Sequence, residues 1–318
     1  MPFASLADVF YKCMSVPYVS LKSFTAQEAY VYARPTMDRL MEFNDAQPEG
    51  FMDIYMGNAG IYADILMHLN KDVAALGFAN AAQQKYEYGK SPLNEVTAIL
   101  LERAGQLEKL KFVLESSMKK NQVTPLMLEM MKKNYITLHQ SETGYDSYLA
   151  SLKDVKLNAA LENKVKESMI KKDLPEFNVK NNNGKLVKLS DQKGKVVVLD
   201  FWASWCAPCK AAFPGMKMAV EKYKNDKDVA FFFVDTQEHI KDYESYVKKY
   251  LKDHNFDFEV LFDADAKLSK SFGVGPIPHK MVIDKNGKLR FSEVGYMGSP
   301  SELVDEISMM VELARKAD

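Results

Sequence analysis

The run Lys195-Val196-Val197-Val198-Leu199-Asp200-Phe201-Trp202 constrains this chain more than any other stretch. It is apolar and β-branched over the length of one strand, as strands buried on both faces of a sheet are. Directly after it stands Trp205-Cys206-Ala207-Pro208-Cys209-Lys210, where a helix is expected to begin near Cys206. A doubly covered strand that feeds straight into a helix needs a sheet with helices packed against it.

The rest of the C-terminal half agrees. The texture changes at Leu174-Pro175, and two short alternating runs, 177–180 and 185–189, flank Asn181-Asn182-Asn183-Gly184. That pattern reads as a β-hairpin. Ala230–Asp235 reads as another central strand, followed by a helix from about Glu238 to Asp253. Further strands are expected at 259–262 and 281–284, and Asn286-Gly287 turns the chain into 288–291. A last helix starts near Ser299-Pro300. Together these make an α/β domain with a mixed sheet.

From about Thr25 to Lys172 the pattern is helix after helix. Ser91-Pro92 is an N-cap followed by proline. From there Leu93, Val96, Leu100, Ala104, Leu107, Leu110, Leu114 and Met118 form one continuous three-and-four stripe. Thr124-Pro125 opens a second helix carrying Leu126, Met127, Met130 and Met131, and the helical spacing of the methionines marks them as core. A third amphipathic stretch runs from about Asp146 to Lys171. The two cap-plus-proline starts have no third copy, so no repeat is read. The expected division is a mainly α-helical domain over 1–172 and an α/β domain over 173–318.

Three cysteines are too few for a disulfide framework, and two of them form the C-x-x-C. Half a zinc site is the competing reading of such a pair. It would need two more ligands at short spacing, and the five histidines are scattered. No metal and no cofactor are expected. At the start of a helix, free N–H groups and the positive end of the dipole stabilise a thiolate. Cys206 is therefore the expected attacking thiol, and Cys209, one turn on, the resolving one. Cys13 reads as a buried thiol or a tail residue and receives no role.

Val198-Leu199-Asp200-Phe201-Trp202-Ala203-Ser204-Trp205-Cys206-Ala207-Pro208-Cys209, with Phe213-Pro214 in the helix and Val274-Gly275-Pro276-Ile277-Pro278 before a later strand, resembles the thioredoxin superfamily. Leu174-Pro175-Glu176-Phe177, the Gly184-Lys185 hairpin and Leu189-Ser190-Asp191 narrow the likeness to TlpA/ResA-type bacterial proteins. It covers roughly 174–318 and says nothing residue by residue about the helical half.

The resemblance implies a thioredoxin fold and thiol–disulfide exchange. It implies a cis bond before Pro278, with Ile277 pairing to an extended client segment and Trp205, Ala207 and Pro208 rimming the substrate site. Asp200 takes the place of the buried acid that exchanges a proton with the resolving thiol. Two departures stand out. Many relatives carry a glutamate where this chain has Ala212, and threonine is common where it has His279, which would favour the thiolate if it lay charged beside the disulfide. A peroxidase is disfavoured because Ala203 stands where the peroxidatic pattern has Thr or Ser.

With 42 basic and 43 acidic residues, the formal charge of −1 gives no pull towards nucleic acid or an anionic membrane. No apolar run is long enough to span a membrane. No signal peptide is legible at the N-terminus, so a periplasmic or envelope location rests on the resemblance, with a cytoplasmic one as alternative. The expected partners are protein disulfides and an upstream dithiol electron donor. Ala207-Pro208 adds neither charge nor donor, which points to a reductant or weak isomerase rather than a strong oxidant. The competing readings are a disulfide isomerase, its helical domain a dimerisation or client platform, and a redox-regulated binding module. The oligomeric state is open.

Overall fold

The computed structural model describes residues 24–46, 48–263, 265–296 and 298–317, the side chains of 48–51 excepted. Cys13 lies outside the described residues. The chain divides into two compact units, Met1–Asp154 and Val155–Asp318.

The first unit is helical: α1 (Ala26–Ala46), α2 (Pro48–His68), α3 (Asp72–Tyr86), α4 (Ser91–Arg103), α5 (Leu107–Lys119), α6 (Pro125–His139) and α7 (Tyr145–Leu152). Helix α4 lies between two cores. Leu93, Val96 and Leu100 face Ala63, Ala79 and Met37 of α1–α3. Ala98 and Leu101 face Leu110, Leu114, Met127 and Met131 of α5 and α6. The expected helical methionines are thus core. Buried Asn94 is satisfied by Tyr88 O, Gln122 O and Gln83 Nε2, which pins α4 between its neighbours.

The continuous stripe expected from Ser91 to Met118 is broken. Gly105 takes φ +66°, and the N–H groups of Gly105 and Gln106 bond to Glu102 O and Leu101 O, closing α4 with a Schellman cap. The stripe hid this stop because α5 resumes the apolar spacing almost in phase. The stretch expected from Asp146 is likewise two helices, broken at an extended Lys153. The second of them, α8 (Val155–Glu167), packs on the C-terminal helix and so falls in the second unit.

In that unit a six-stranded sheet runs in the order β1-β8-β7-β4-β5-β6. Its strands are β1 (Lys172–Asp173), β4 (Val196–Trp202), β5 (Val229–Thr236), β6 (Val260–Asp263), β7 (His279–Ile283) and β8 (Lys288–Val294). Strands β4, β5 and β6 are parallel; β7 is antiparallel to β4 and β8, and β1 to β8. The hairpin β2 (Asn178–Lys180) and β3 (Leu186–Lys188) is a separate two-stranded sheet, joined to β6 by a bridge between Asn181 and Leu261.

Every residue of β4 is buried, and alternation decides what each meets. Val196, Val198 and Trp202 pack under α9 (Ala207–Tyr223), α10 (Tyr243–Asp253) and α12 (Pro300–Lys316). Val197, Leu199 and Phe201 face the hairpin, Leu268 of α11 (Lys267–Ser271) and Phe272. The fold is therefore the mixed α/β sheet expected, with one difference near the site. The helix expected from Glu238 begins only at Tyr243, because Gln237 takes a left-handed φ of 56° and Glu238 bonds elsewhere.

Candidate active site

Cys206 and Cys209 form a disulfide with Cα atoms 5.3 Å apart. Cys206 is the N-cap of α9, and its Sγ accepts the backbone N–H of Cys209 at 3.2 Å. The sulfur thus occupies the place where a helix presents unpaired N–H groups and its positive dipole end. Both cysteines are buried, whereas Ala207 is half-buried and Pro208 exposed. Trp205 stands beside them, 47% exposed.

Asp200 sits under this turn. It alternates with Val198 and Trp202, on the sheet face whose apolar cluster includes both cysteines. It is 1% exposed and directly opposite Lys280 in the β4–β7 register. The Lys280 Nζ is 3.6 Å from the carboxylate and is itself 3% exposed. Burial pushes the Asp200 carboxyl above its ordinary range, and the lysine charge works against that rise. Among the described residues neither group has a hydrogen-bond partner, and the 3.6 Å ion pair makes each the other's counter-charge.

The Ile277–Pro278 bond is cis, the isomer implied by the resemblance. Ile277 packs against the cluster that holds the cysteines, and Pro278 is buried. His279 is not beside the disulfide. It pairs with Phe201, so its ring turns to the opposite face, where Nε2 meets Ser292 Oγ at 2.8 Å. Burial, with Lys280 as a lesser cause, holds it below the usual histidine range, so it is neutral at pH 7. Ala212 is fully buried in the cysteine cluster, which leaves no carboxyl at that position.

Four further residues belong to the site and were not legible in the sequence. Lys280 emerges only from strand register. Gln237, Glu238 and His239 follow β5 and reach the cysteine loop: Gln237 O accepts Trp205 Nε1–H at 2.9 Å, Glu238 accepts the N–H and Oγ–H of Ser204, and His239 stacks on Trp205.

The AhpC/TSA family profile matches residues 170–292, inside the second unit. Over 125 residues the chain is 39% identical to the thiol-disulfide oxidoreductase ResA of a Bacillus cereus strain, covering 39% of this chain and 69% of that protein. The chain belongs to the ResA family of thiol–disulfide oxidoreductases. ResA of Bacillus subtilis (strain 168) is 34% identical over 117 residues, covering 37% of this oxidoreductase and 63% of its relative. The exposed lipoprotein thioredoxin of Streptococcus pneumoniae (strain TIGR4) is 31% identical, covering 44% of this oxidoreductase and 99% of that chain at a TM-score of 0.38. Among the described residues no helix is long and apolar enough to cross a membrane, and no cluster of side chains could hold a metal ion.

Proposed function

We propose that the oxidoreductase reduces disulfides of exported proteins in the cell envelope, using Cys206 and Cys209 as its exchanging pair. The observation that carries this reading is the position of Cys206 as the N-cap of α9, its sulfur already accepting a helix N–H. The same donors favour the thiolate after reduction.

In the reduced enzyme the Cys206 thiolate attacks one sulfur of a client disulfide. A Cys206–client bond forms, the client S–S bond breaks, and one client thiolate leaves. Asp200 takes the proton of Cys209, whose thiolate then attacks Cys206 Sγ. The intramolecular disulfide forms and the second client thiolate departs, to be protonated by Asp200 or water. The client has gained two electrons and the enzyme has lost two, which an external dithiol donor restores.

Trp205, Ala207 and Pro208 form the rim that meets the client, and Ile277, beside Pro278, offers its main chain to an extended client segment. The helical unit is read as a domain of its own attached to this catalytic one.

The reduction potential of the Cys206–Cys209 couple, equilibrated against dithiothreitol, tests the reading. A value near or below about −230 mV is expected of a reductant fed by its own donor. A value well above about −180 mV, in the range of isomerases and oxidants, overturns it. Cys206→Ser is expected to abolish client reduction, and Cys209→Ser to trap the mixed disulfide.

A further inference from the structure

The five residues from Asp235 to His239 reach both halves of the site. Glu238 accepts two hydrogen bonds from Ser204, one from the backbone N–H and one from Oγ–H at 2.7 Å. Gln237 accepts the Trp205 indole N–H through its carbonyl. Its side-chain Nε2 donates to Gly275 O at 3.0 Å, two residues before the cis bond. The His239 ring lies 5.3 Å from that of Trp205 at an interplanar angle of 15°. One short segment thus holds the loop that delivers Cys206 and the loop that delivers Ile277.

Beneath it lies Asp235, the penultimate residue of β5, fully buried with neither oxygen meeting a donor. Its cross-strand neighbours are Trp202 and Phe262, which cannot neutralise it. The titratable groups facing it are Glu238 within hydrogen-bond reach, Tyr243 and Glu244 of α10, and Asp263 of β6. None of these is basic. Burial first, and these acids second, push the Asp235 carboxyl up to about 9. With its proton kept at neutral pH, Asp235 can donate a hydrogen bond to Glu238, which already accepts two from Ser204.

We propose that Glu238, held by the buried Asp235 carboxyl, is a positioning residue that fixes the Ser204–Trp205 loop, while the adjacent Gln237 ties that loop to the cis-proline loop, so that the two form one rigid docking edge for the client. Loss of this clasp leaves the cysteines in place but lets Trp205 and the approach to Cys206 move, and misplaced groups slow a step that depends on alignment. The inference rests on Cys206 as the attacking thiol, which Cys206→Ser tests separately.

The test uses the full chain in its oxidised form, in which neither Cys206 nor Cys209 titrates, with NMR resonances of the Ser204 amide and the Trp205 indole N–H followed from pH 6 to 10.5. Both are expected to shift together with a midpoint near 9. In Asp235→Asn the step disappears, because the carboxamide donates to Glu238 at every pH. In reduction of insulin disulfides, Glu238→Ala is expected to lower kcat/KM about tenfold, and Glu238→Gln, which keeps an acceptor for Ser204, to recover to within about twofold. No step near pH 9 in the wild-type resonances overturns the proposal, and so does a Glu238→Gln enzyme no faster than Glu238→Ala. The wild-type titration stands even if Glu238→Ala fails to fold.

Discussion

Removal of Lys280 from the buried pair with Asp200 gives the sharpest prediction. In Lys280→Met the side-chain volume is kept while Asp200, 1% exposed, loses the counter-charge 3.6 Å away. An ionised carboxylate there costs several kcal/mol, so the group takes up a proton instead. Protonation limits the penalty. The ordinary aspartate value is 3.8, so holding the group neutral at pH 7 costs 3.2 pH units at 1.36 kcal/mol each, about 4.4 kcal/mol.

That ceiling agrees with the roughly 3–5 kcal/mol lost when one partner of a buried pair is removed. For a unit of this size it corresponds to a fall in Tm of about 6–20 °C. A carboxyl whose folded pKa is raised contributes its full stability below the unfolded value and loses it as pH rises towards the folded one. The ceiling therefore shrinks to about 1.6 kcal/mol at pH 5.

Both tryptophans, Trp202 and Trp205, lie in the second unit, so urea unfolding followed by their fluorescence reads that unit alone. The assay compares wild type, Lys280→Met, Asp200→Asn and the double variant at pH 5 and pH 7. The double variant is expected to be more stable at pH 7 than Lys280→Met, because no unpaired charge remains. If Lys280→Met is as stable as wild type at pH 7, Asp200 is already neutral there and the ion-pair reading is wrong.

Two further outcomes follow from the same geometry. Asp200→Asn should slow resolution of the mixed disulfide by about a hundredfold, the low end of a general base's contribution, while the first attack by Cys206 changes little. Rapid-quench trapping of the mixed disulfide separates the two steps, and an unchanged resolution rate removes Asp200 from the mechanism. Gly215→Ala should destabilise the second unit by about 1–3 kcal/mol. An added Cβ there would lie 2.9 Å from Pro300 O and 3.0 Å from its Cα, where α9 meets α12 and backbone rather than a flexible side chain must give way. Urea unfolding with full retention of stability would show that the two helices can part at that contact.

By itself the sequence determined whatever depends on neighbours along the chain. Val196 to Trp202 could only be a covered strand, Thr124-Pro125 and Ser299-Pro300 could only open helices, and Cys206 falls where a helix leaves its N–H groups unpaired. Even there the local reading failed at helix boundaries: at Gly105, because the apolar spacing on either side of the break stays nearly in phase, and again at Lys153 and Gln237.

Tertiary structure decided what depends on register and on burial. Strand pairing sets Lys280 opposite Asp200 and, one residue earlier, turns His279 to the other face of the sheet, since side chains alternate with a period of two. The contact of Glu238 with Ser204 spans 34 positions of sequence, and Asp235 does not differ from a surface carboxylate until packing around β5 removes its water. The cysteine proposed as the nucleophile was therefore local information, whereas the groups that hold and charge its surroundings exist only in the folded sheet.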